Sequence, residues 1–281
     1  MTTRWERRFR APMITYPDWS PAAPKRLAYE STESGIWQLH VVDLDAAVRR
    51  RVTDHPVGVI SGAWSPDGAD ISWWQDETGD ESGRWHVQPF EGGVPRLLLP
   101  ELDPGWNEGI SWVPGMLAVS ISRHDGFAVY VSEDGGATVK EVARSTEHMR
   151  VAGGPGGYNR GGLSSDGTLL CLQHAEHGDE MHEALRVIDP RTGATVADLV
   201  DEGNQLLSSA WSPIVGDRRL AVVHERNGIP QPALWDPVTG EWTEISTGLD
   251  GEVSVADWWP DASALLPVSY THLTLPTTPY V

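Results

Sequence analysis

The stretch Gly62-Ala-Trp-Ser-Pro-Asp-Gly-Ala-Asp-Ile-Ser-Trp-Trp74 decides how this chain is read. It is a strand, a tight Ser-Pro-Asp-Gly turn and a second strand. Pro66 fixes φ, Asp67 tolerates tight backbone geometry, and Gly68 supplies a positive φ. The flanking residues suit a pleated, half-buried surface. One such hairpin fits any β protein, but this one recurs. With Trp64 as anchor, equivalent positions fall at Trp19, Trp112, Leu163, Trp211 and Trp258, at intervals of 45, 48, 51, 48 and 47 residues.

Trp19-Ser-Pro21, Trp64-Ser-Pro66 and Trp211-Ser-Pro213 are identical, while Ser165-Asp-Gly167 and Trp259-Pro-Asp261 keep parts of the turn. An apolar strand follows each anchor: Arg26–Glu30, Ile71–Trp74, Leu117–Ile121, Leu169–Leu172 and Leu220–Val223. Third strands are expected at Trp37–Asp43, Trp85–Gln88, Phe127–Val131, Ala184–Ile188 and Ala233–Trp235. Turns such as Asp189-Pro-Arg-Thr-Gly193 and Asp236-Pro-Val-Thr-Gly240 lead to fourth strands at Arg51–Thr53, Arg96–Leu99, Val139–Val142, Thr195–Leu199 and Trp242–Ile245. Four strands in roughly 40–50 residues make one β-propeller blade. Small residues precede the anchors (Ser61-Gly-Ala63, Gly109-Ile-Ser111, Gly161-Gly162, Ser208-Ser-Ala210, Ser254-Val-Ala256), as crowding around an axis demands. A sandwich gives no reason for that period. No segment carries a sustained helical apolar period. The expectation is an all-β propeller of four-stranded antiparallel blades: five complete blades, the start of a sixth, and an incomplete ring.

Blades are expected to start near 19, 64, 112, 163, 211 and 258, after a lead-in over 1–18 and within a propeller spanning 19–267. Beyond Pro267 the pattern stops. Residues 268–281 contain no Arg, Gly, Asp or Glu. The codons GTC TCT TAT ACA CAT CTG ACG CTG CCG ACG, a read through a transposon-type sequencing adaptor, encode positions 268–277 at every residue. The segment 268–281 is therefore expected to be non-native, with the natural protein continuing past about Pro267.

Composition narrows the function classes. A net charge of −19 argues against sequence-independent binding to nucleic acid or to an anionic membrane surface. No apolar run approaches the ~18 residues that span a bilayer, and Met1–Arg10 lacks a signal-peptide core. Cytoplasmic residence is the expectation. Only two lysines, Lys25 and Lys140, accompany 19 arginines, which points to a GC-rich bacterial genome. The single Cys171 rules out an internal disulfide and reads as a small buried hydrophobe.

Four features invite chemistry. His174-Ala-Glu-His177-Gly-Asp179-Glu180-Met-His182 offers zinc-type ligands, but without H-E-x-x-H spacing it reads as a solvated loop. Asp76-Glu-Thr-Gly-Asp80-Glu81 lacks the EF-hand order and reads as a polar loop. With Arg123–Gly126 and His224–Gly228, these loops join second to third strands and so share one face. Gly153-Gly-Pro-Gly-Gly157 lacks the Lys-Ser/Thr of a phosphate loop and reads as an inter-blade connection. In Trp73-Trp74 and Trp258-Trp259, alternation puts one ring on each strand face, so one of each pair is expected to be partly exposed.

The Trp-Ser-Pro-Asp-Gly hairpin with its Asp-x-x-x-Gly turn resembles the repeats of TolB-like proteins and, equally, the propeller of prolyl oligopeptidase-type serine peptidases. Arg4-Trp-Glu-Arg-Arg-Phe-Arg-Ala-Pro12, Gln88-Pro-Phe-Glu-Gly-Gly93 and His174-Ala-Glu-His-Gly-Asp179 look like acylaminoacyl-peptidase-like members. The resemblance covers roughly residues 4–267. It implies a non-catalytic propeller that gates short peptide substrates to a C-terminal α/β-hydrolase domain. That domain's G-x-S-x-G elbow is absent: Gly109-Ile-Ser111 and Gly162-Leu-Ser164 both lack the second glycine. No catalytic, cofactor-binding or metal residue is assigned. The alternative is a TolB-like scaffold without enzymatic activity. A propeller enzyme with an axial metal ranks last, because the innermost positions are mostly Gly, Ser and Ala.

Overall fold

A computed structural model describes residues 4–59, 62–152 and 160–270; of Arg4, Glu6, Arg7 and Tyr270 it describes the backbone. The first sheet comprises β1 (Ile14–Ser20), β2 (Ala23–Ser31), β3 (Gln38–Asp43) and β4 (Val48–Arg51). The next eight strands share one continuous sheet: blade two comprises β5 (Gly62–Trp64), β6 (Asp70–Asp76), β7 (Ser82–Pro89) and β8 (Arg96–Leu97), and blade three β9 (Gly105–Val113), β10 (Met116–Arg123), β11 (Gly126–Ser132) and β12 (Lys140–Ser145). Then come β13 (Met149–Val151), β14 (Leu170–His174), β15 (Ala184–Ile188) and β16 (Thr195–Leu199), followed by β17 (Leu206–Trp211), β18 (Leu220–Arg226), β19 (Ile229–Trp235) and β20 (Trp242–Glu244). β21 (Glu252–Trp258) and β22 (Leu265–Tyr270) form a sixth, two-stranded unit. Pairing within every unit is antiparallel between successive strands, and β7 also touches β9 through Ser82–Trp106 and Gly83–Gly105, tying blades two and three together. This is an all-β propeller of four-stranded blades.

The repeated turns are locked by their own side chains. Gly68 N–H donates to Ser65 O at 2.9 Å, with φ +69°, and Ser65 Oγ donates to Asp67 Oδ1 at 2.6 Å. Ser164 and Asp166 repeat this at 2.7 Å. At the other turn type, Gly193 N–H reaches Asp189 O and Gly240 N–H reaches Asp236 O, both at 2.8 Å. Trp64, Trp211 and Trp258 end the first strand of their blades, and the last two hydrogen-bond across to the blade before. Trp211 Nε1 donates to Gly162 O at 2.8 Å, and Trp258 Nε1 to Ala210 O at 2.9 Å. Each acceptor immediately precedes the previous blade's anchor. The small residues there are needed for contact: a Cβ on Gly162 would lie 2.6 Å from Ser111 Cβ and 2.7 Å from Ala152 O.

Several expectations are corrected. Trp73 and Trp74 are both buried, at 2% and 6% exposure, because blade two is covered on both faces. Trp73 packs with Ala28, Leu39 and Trp64, while Trp74 packs with Trp85, Ile110 and Leu117. Only the second pair splits as expected, with Trp258 buried and Trp259 exposed. The innermost strand of blade four is not confined to Gly161-Gly162. β13 pairs with His174–Leu172, and Gly162 O then accepts from Cys171 N at 2.8 Å. The Gly153–Gly157 run lies outside the described residues. The fourth strand of blade one starts at Val48, not Arg51. A six-residue helix, α1 (Arg4–Phe9), was not foreseen; its Trp5 and Phe9 rings meet edge-on at 6.3 Å. β1 begins at Ile14, ahead of the first anchor, and β22 carries Val268–Tyr270 opposite Ser254–Glu252. Of the tail 268–281, the residues past Tyr270 lie outside the described residues.

Candidate functional site

Strand direction sorts the connections onto two rims. First and third strands run one way, second and fourth the other. The Ser-Pro-Asp-Gly turns therefore lie on one rim. The loops between second and third strands lie on the opposite rim, beside the crossovers between blades. That crossover rim gathers most of the paired histidines and carboxylates.

Its most elaborate arrangement lies where blades three and four meet. His148 sits just ahead of β13, Glu108 on β9 and Glu183 just ahead of β15. His148 Nδ1 approaches Glu183 Oε1 at 2.7 Å, an ion-pair distance, although the alignment is not that of a hydrogen bond. His148 Nε2 lies 3.5 Å from Glu108 Oε2. Arg150 Nη2 and Gln173 Nε2 donate to Glu183 Oε2 at 2.8 and 2.9 Å. Ser122 Oγ donates to Glu108 Oε1 at 2.6 Å. Glu108 and Glu183 together raise the His148 pKa to about 9 against the cost of burial, so its imidazole is a cation at neutral pH. Burial pushes the Glu183 carboxyl up, but His148 and Arg150 outweigh it and hold the group below the usual carboxylate range. The order Ser–Glu–His–Glu is not a nucleophilic triad, because the imidazole must contact the serine to take its proton.

The 174–182 segment departs from a wholly solvated loop at its first residue. His174 ends β14 and is buried, with Nε2 2.9 Å from Asp198 Oδ1. Asp198 also accepts from Arg186 Nε at 2.9 Å. His177 Nε2 lies 3.0 Å from His182 O, and His182 Nδ1 lies 2.7 Å from Asp179 Oδ2. The His174 and His177 rings meet edge-on at 6.1 Å, but their nitrogens face separate partners. Among the described residues, no group of three or more His, Cys, Asp or Glu has metal-holding geometry. In the Asp76–Glu81 loop, Asp76 accepts from the backbone N–H groups of Thr78, Gly79 and Glu81 at 3.0, 2.7 and 2.9 Å. Its oxygens organise the loop and are spent on it. Farther round, His224 Nε2 lies 2.6 Å from Asp201 Oδ2, and His40 is stacked on Tyr29 at 5.3 Å with Nδ1 3.5 Å from Glu33.

One convergence was missed by sequence reasoning. Asp18, Arg160 and Asp257 come from the inner positions of units one, four and six. Arg160 Nη1 lies 3.5 Å from Asp257 Oδ2. Burial raises the Asp18 pKa to about 6, with the Trp19 backbone N–H and Arg160 opposing and Asp257 adding to the rise. The signal was available: the residue before each anchor is Ala63, Ser111, Gly162 or Ala210 in four units, but Asp in the first and last. Cys171 is buried among Leu185, Val187 and Leu220, where burial pushes its thiol up to about 12, so it is an inert packing group at neutral pH.

Comparison with known proteins bears on the fold. No protein-family profile and no curated protein sequence matches the chain. Solved structures do. TolB from Acinetobacter baumannii superposes with TM-score 0.54 at 17% identity, over 85% of this chain and 55% of that one. A prolyl endopeptidase, from a study of inter-domain dynamics in two such enzymes, gives TM-score 0.64 at 14% identity, over 89% of this chain and 39% of that one. The propeller domain of the trilobed protease from Pyrococcus furiosus, described as having an open velcro topology, gives 0.60 at 15%, over 87% and 72%. The chain thus spans about half the TolB protein and two fifths of the prolyl endopeptidase. At these identities the likeness is one of fold: the β-propeller is common to all of them.

Proposed function

We propose that this chain is the non-catalytic propeller domain of a prolyl oligopeptidase-type serine peptidase, in the acylaminoacyl-peptidase-like branch, whose hydrolase domain follows in the natural protein. The likeness to the prolyl endopeptidase carries the reading: it covers 89% of this chain yet only 39% of that one. The opening segment Arg4–Pro12 supports the narrower assignment. In this reading the crossover rim faces the hydrolase domain, and the propeller selects short peptides by access. The chemistry belongs to the other domain, where serine attacks, histidine shuttles the proton and an oxyanion hole holds the tetrahedral intermediate. The interlocked pairs of the rim suit a rigid cover. His148, Arg150, Glu108 and Glu183 are committed to one another and leave no free base.

The TolB likeness favours a second reading, a protein-binding scaffold with no enzyme attached. The natural gene downstream of the codon for Pro267 separates the two. A G-x-S-x-G elbow after a strand pattern, followed by Asp and His, supports the peptidase; a stop codon soon after the last blade supports the scaffold. An uninterrupted native codon run through Val281 would overturn the adaptor origin of 268–281. The chain by itself is expected not to hydrolyse aminoacyl or peptidyl chromogenic substrates. Turnover abolished by a serine-directed phosphonate would refute that.

A further inference from the structure

Blade two grips blade one through Phe90. Its ring is buried on Trp64 at 5.6 Å, with the Arg26 guanidinium 4.3 Å from its centroid. Arg26 also holds the Glu91 carboxylate at 2.7 Å, and Arg50 donates to the Phe90 carbonyl. Strand pairing gives the counterparts between blades three and four. Trp19 opposite Leu27 and Trp112 opposite Leu117 match Arg26 with Met116. Val41 opposite Arg50 and Val131 opposite Lys140 match those two pairs. Ile71 and Leu170 lie opposite their anchors, and opposite Gln88 and Ile188, so Phe90 matches Pro190 and Glu91 matches Arg191. Replacing Phe90 by Pro190 and Arg26 by Met116 removes about as much side chain as one benzyl group. A cavity of about 230 Å³ lies there on the Ser-Pro-Asp-Gly rim, with Met116 and Val131 at its buried end and Thr138, Val139, Lys140 and Arg191 around it. The ionic part of the grip is already made, with its charges exchanged. Arg191 Nε donates to Glu133 Oε1 at 2.9 Å, Lys140 Nζ to the Arg191 carbonyl at 2.5 Å, and Asp134 accepts from Ser132 and Thr138 at 2.7 Å each. What a ligand would meet is therefore the methionine, the valines and the stems of Lys140 and Arg191.

We propose that this cavity between blades three and four is a binding site for a small neutral molecule of one aromatic ring. The ring would take the place that Phe90 fills between blades one and two, against Val139, with the Met116 thioether at its inner end and the Arg191 guanidinium at its outer end. Sulfur and guanidinium both favour an aromatic partner over an aliphatic one of the same size. The volume fits. Apolar cavities of about 150 Å³ take up benzene, so 230 Å³ holds one substituted ring. Charge selects as well, because a carboxylate or ammonium on the ring would have to break an existing ion pair to gain a partner. Glu133 and Arg191 are 59% and 48% exposed, so the cavity opens to solvent. The site lies on the rim opposite the crossovers and does not depend on the chain being part of a peptidase.

The test titrates the 281-residue chain, its methionine methyls labelled with carbon-13, with phenol and with cyclohexanol. Phenol should shift the Met116 methyl resonance saturably through its ring current, while the exposed Met13 and Met181 stay still. Cyclohexanol, of the same size but without a π-system, should bind at least threefold more weakly. Pro190→Phe supplies from blade four the ring that blade two supplies to blade one, and should weaken phenol binding at least tenfold. Val139→Trp should do the same from blade three. The two variants block the cavity from opposite sides, and urea midpoints show which are folded, so a folding failure in one leaves the other to decide. Absence of a saturable Met116 shift, equal affinity for cyclohexanol, or binding indifferent to a folded blocking variant overturns the proposal and leaves the cavity a packing gap.

Discussion

His148→Gln removes the only titrating cation from the network between blades three and four, and its effect should depend on pH. The imidazole has an ordinary pKa of 6.5, raised in the fold to about 9 by Glu108 and Glu183. At ~1.36 kcal/mol per unit, the charged form is favoured by at most about 3 kcal/mol. The side chain is 26% exposed, and Arg150 shares Glu183, so a screened value of roughly 1–2 kcal/mol is the working figure. A raised pKa fixes the sign. Below pH 6.5 the imidazole is charged in both states and the contribution is complete. Between 6.5 and 9 the unfolded chain has lost its proton while the folded chain keeps it, and the contribution drains away. Above 9 it is gone. Urea midpoints of the wild type and the variant, at pH 6 and pH 9.5, should therefore differ more at pH 6, by about 1–2 kcal/mol in derived stability. Other groups titrate equally in both proteins and cancel. A difference that is flat with pH, or grows as pH rises, would refute the reasoning; so would a folded-state titration of His148 near 6.5 by NMR.

The same denaturation assay checks three more expectations. Trp211→Phe removes the Nε1 bond to Gly162 O and should cost about 1–2 kcal/mol, whereas Trp19→Phe, at 46% exposure the least covered anchor, should cost under ~0.5 kcal/mol. Gly162→Val drives a branched side chain into Ser111 and the Ala152 carbonyl and should cost about 1–3 kcal/mol; an unchanged midpoint would show that the inner strands are not in contact. Asp18→Asn should stabilise the protein relative to wild type by about 1–2 kcal/mol more at pH 7.5 than at pH 4. A carboxyl raised from 3.8 to about 6 begins to penalise the fold as pH passes 3.8 and does so in full above about 6, so equal effects at both pH values would dismiss the burial of Asp18.

The anchors and turns made the blades legible because their physics is local. A Ser-Pro-Asp-Gly turn needs four adjacent residues, and period-two strands on either side declare themselves within a dozen. The Ala184–Ile188 and Thr195–Leu199 strands stand where their apolar pattern puts them. The pairing of Trp73-Trp74 misled for a related reason. Alternation does put their rings on opposite faces, but a strand pattern does not say that both faces are covered. That depends on blades one and three closing over the same strand, which is a property of the array.

Convergence is what sequence conceals most completely. Asp18, Arg160 and Asp257 belong to segments far apart in the chain, and none lies in a motif. Each is ordinary where it stands. What set two of them apart was a position in the repeat, the residue ahead of the anchor, where four of six units keep a small side chain so that neighbouring inner strands can touch. A charged residue there must either disrupt that contact or find a partner across the interior. Arg160 is that partner for Asp257, and Asp18 is left with a carboxyl that burial holds at about 6. The same logic applies to the crossover rim. Glu108 and Glu183 look like two among many acids until His148 and Arg150 arrive from the neighbouring strand and bind them. In a repeat fold the departures from the repeat mark where charge has been placed for a reason other than packing, and the anchors supply the alignment that exposes them.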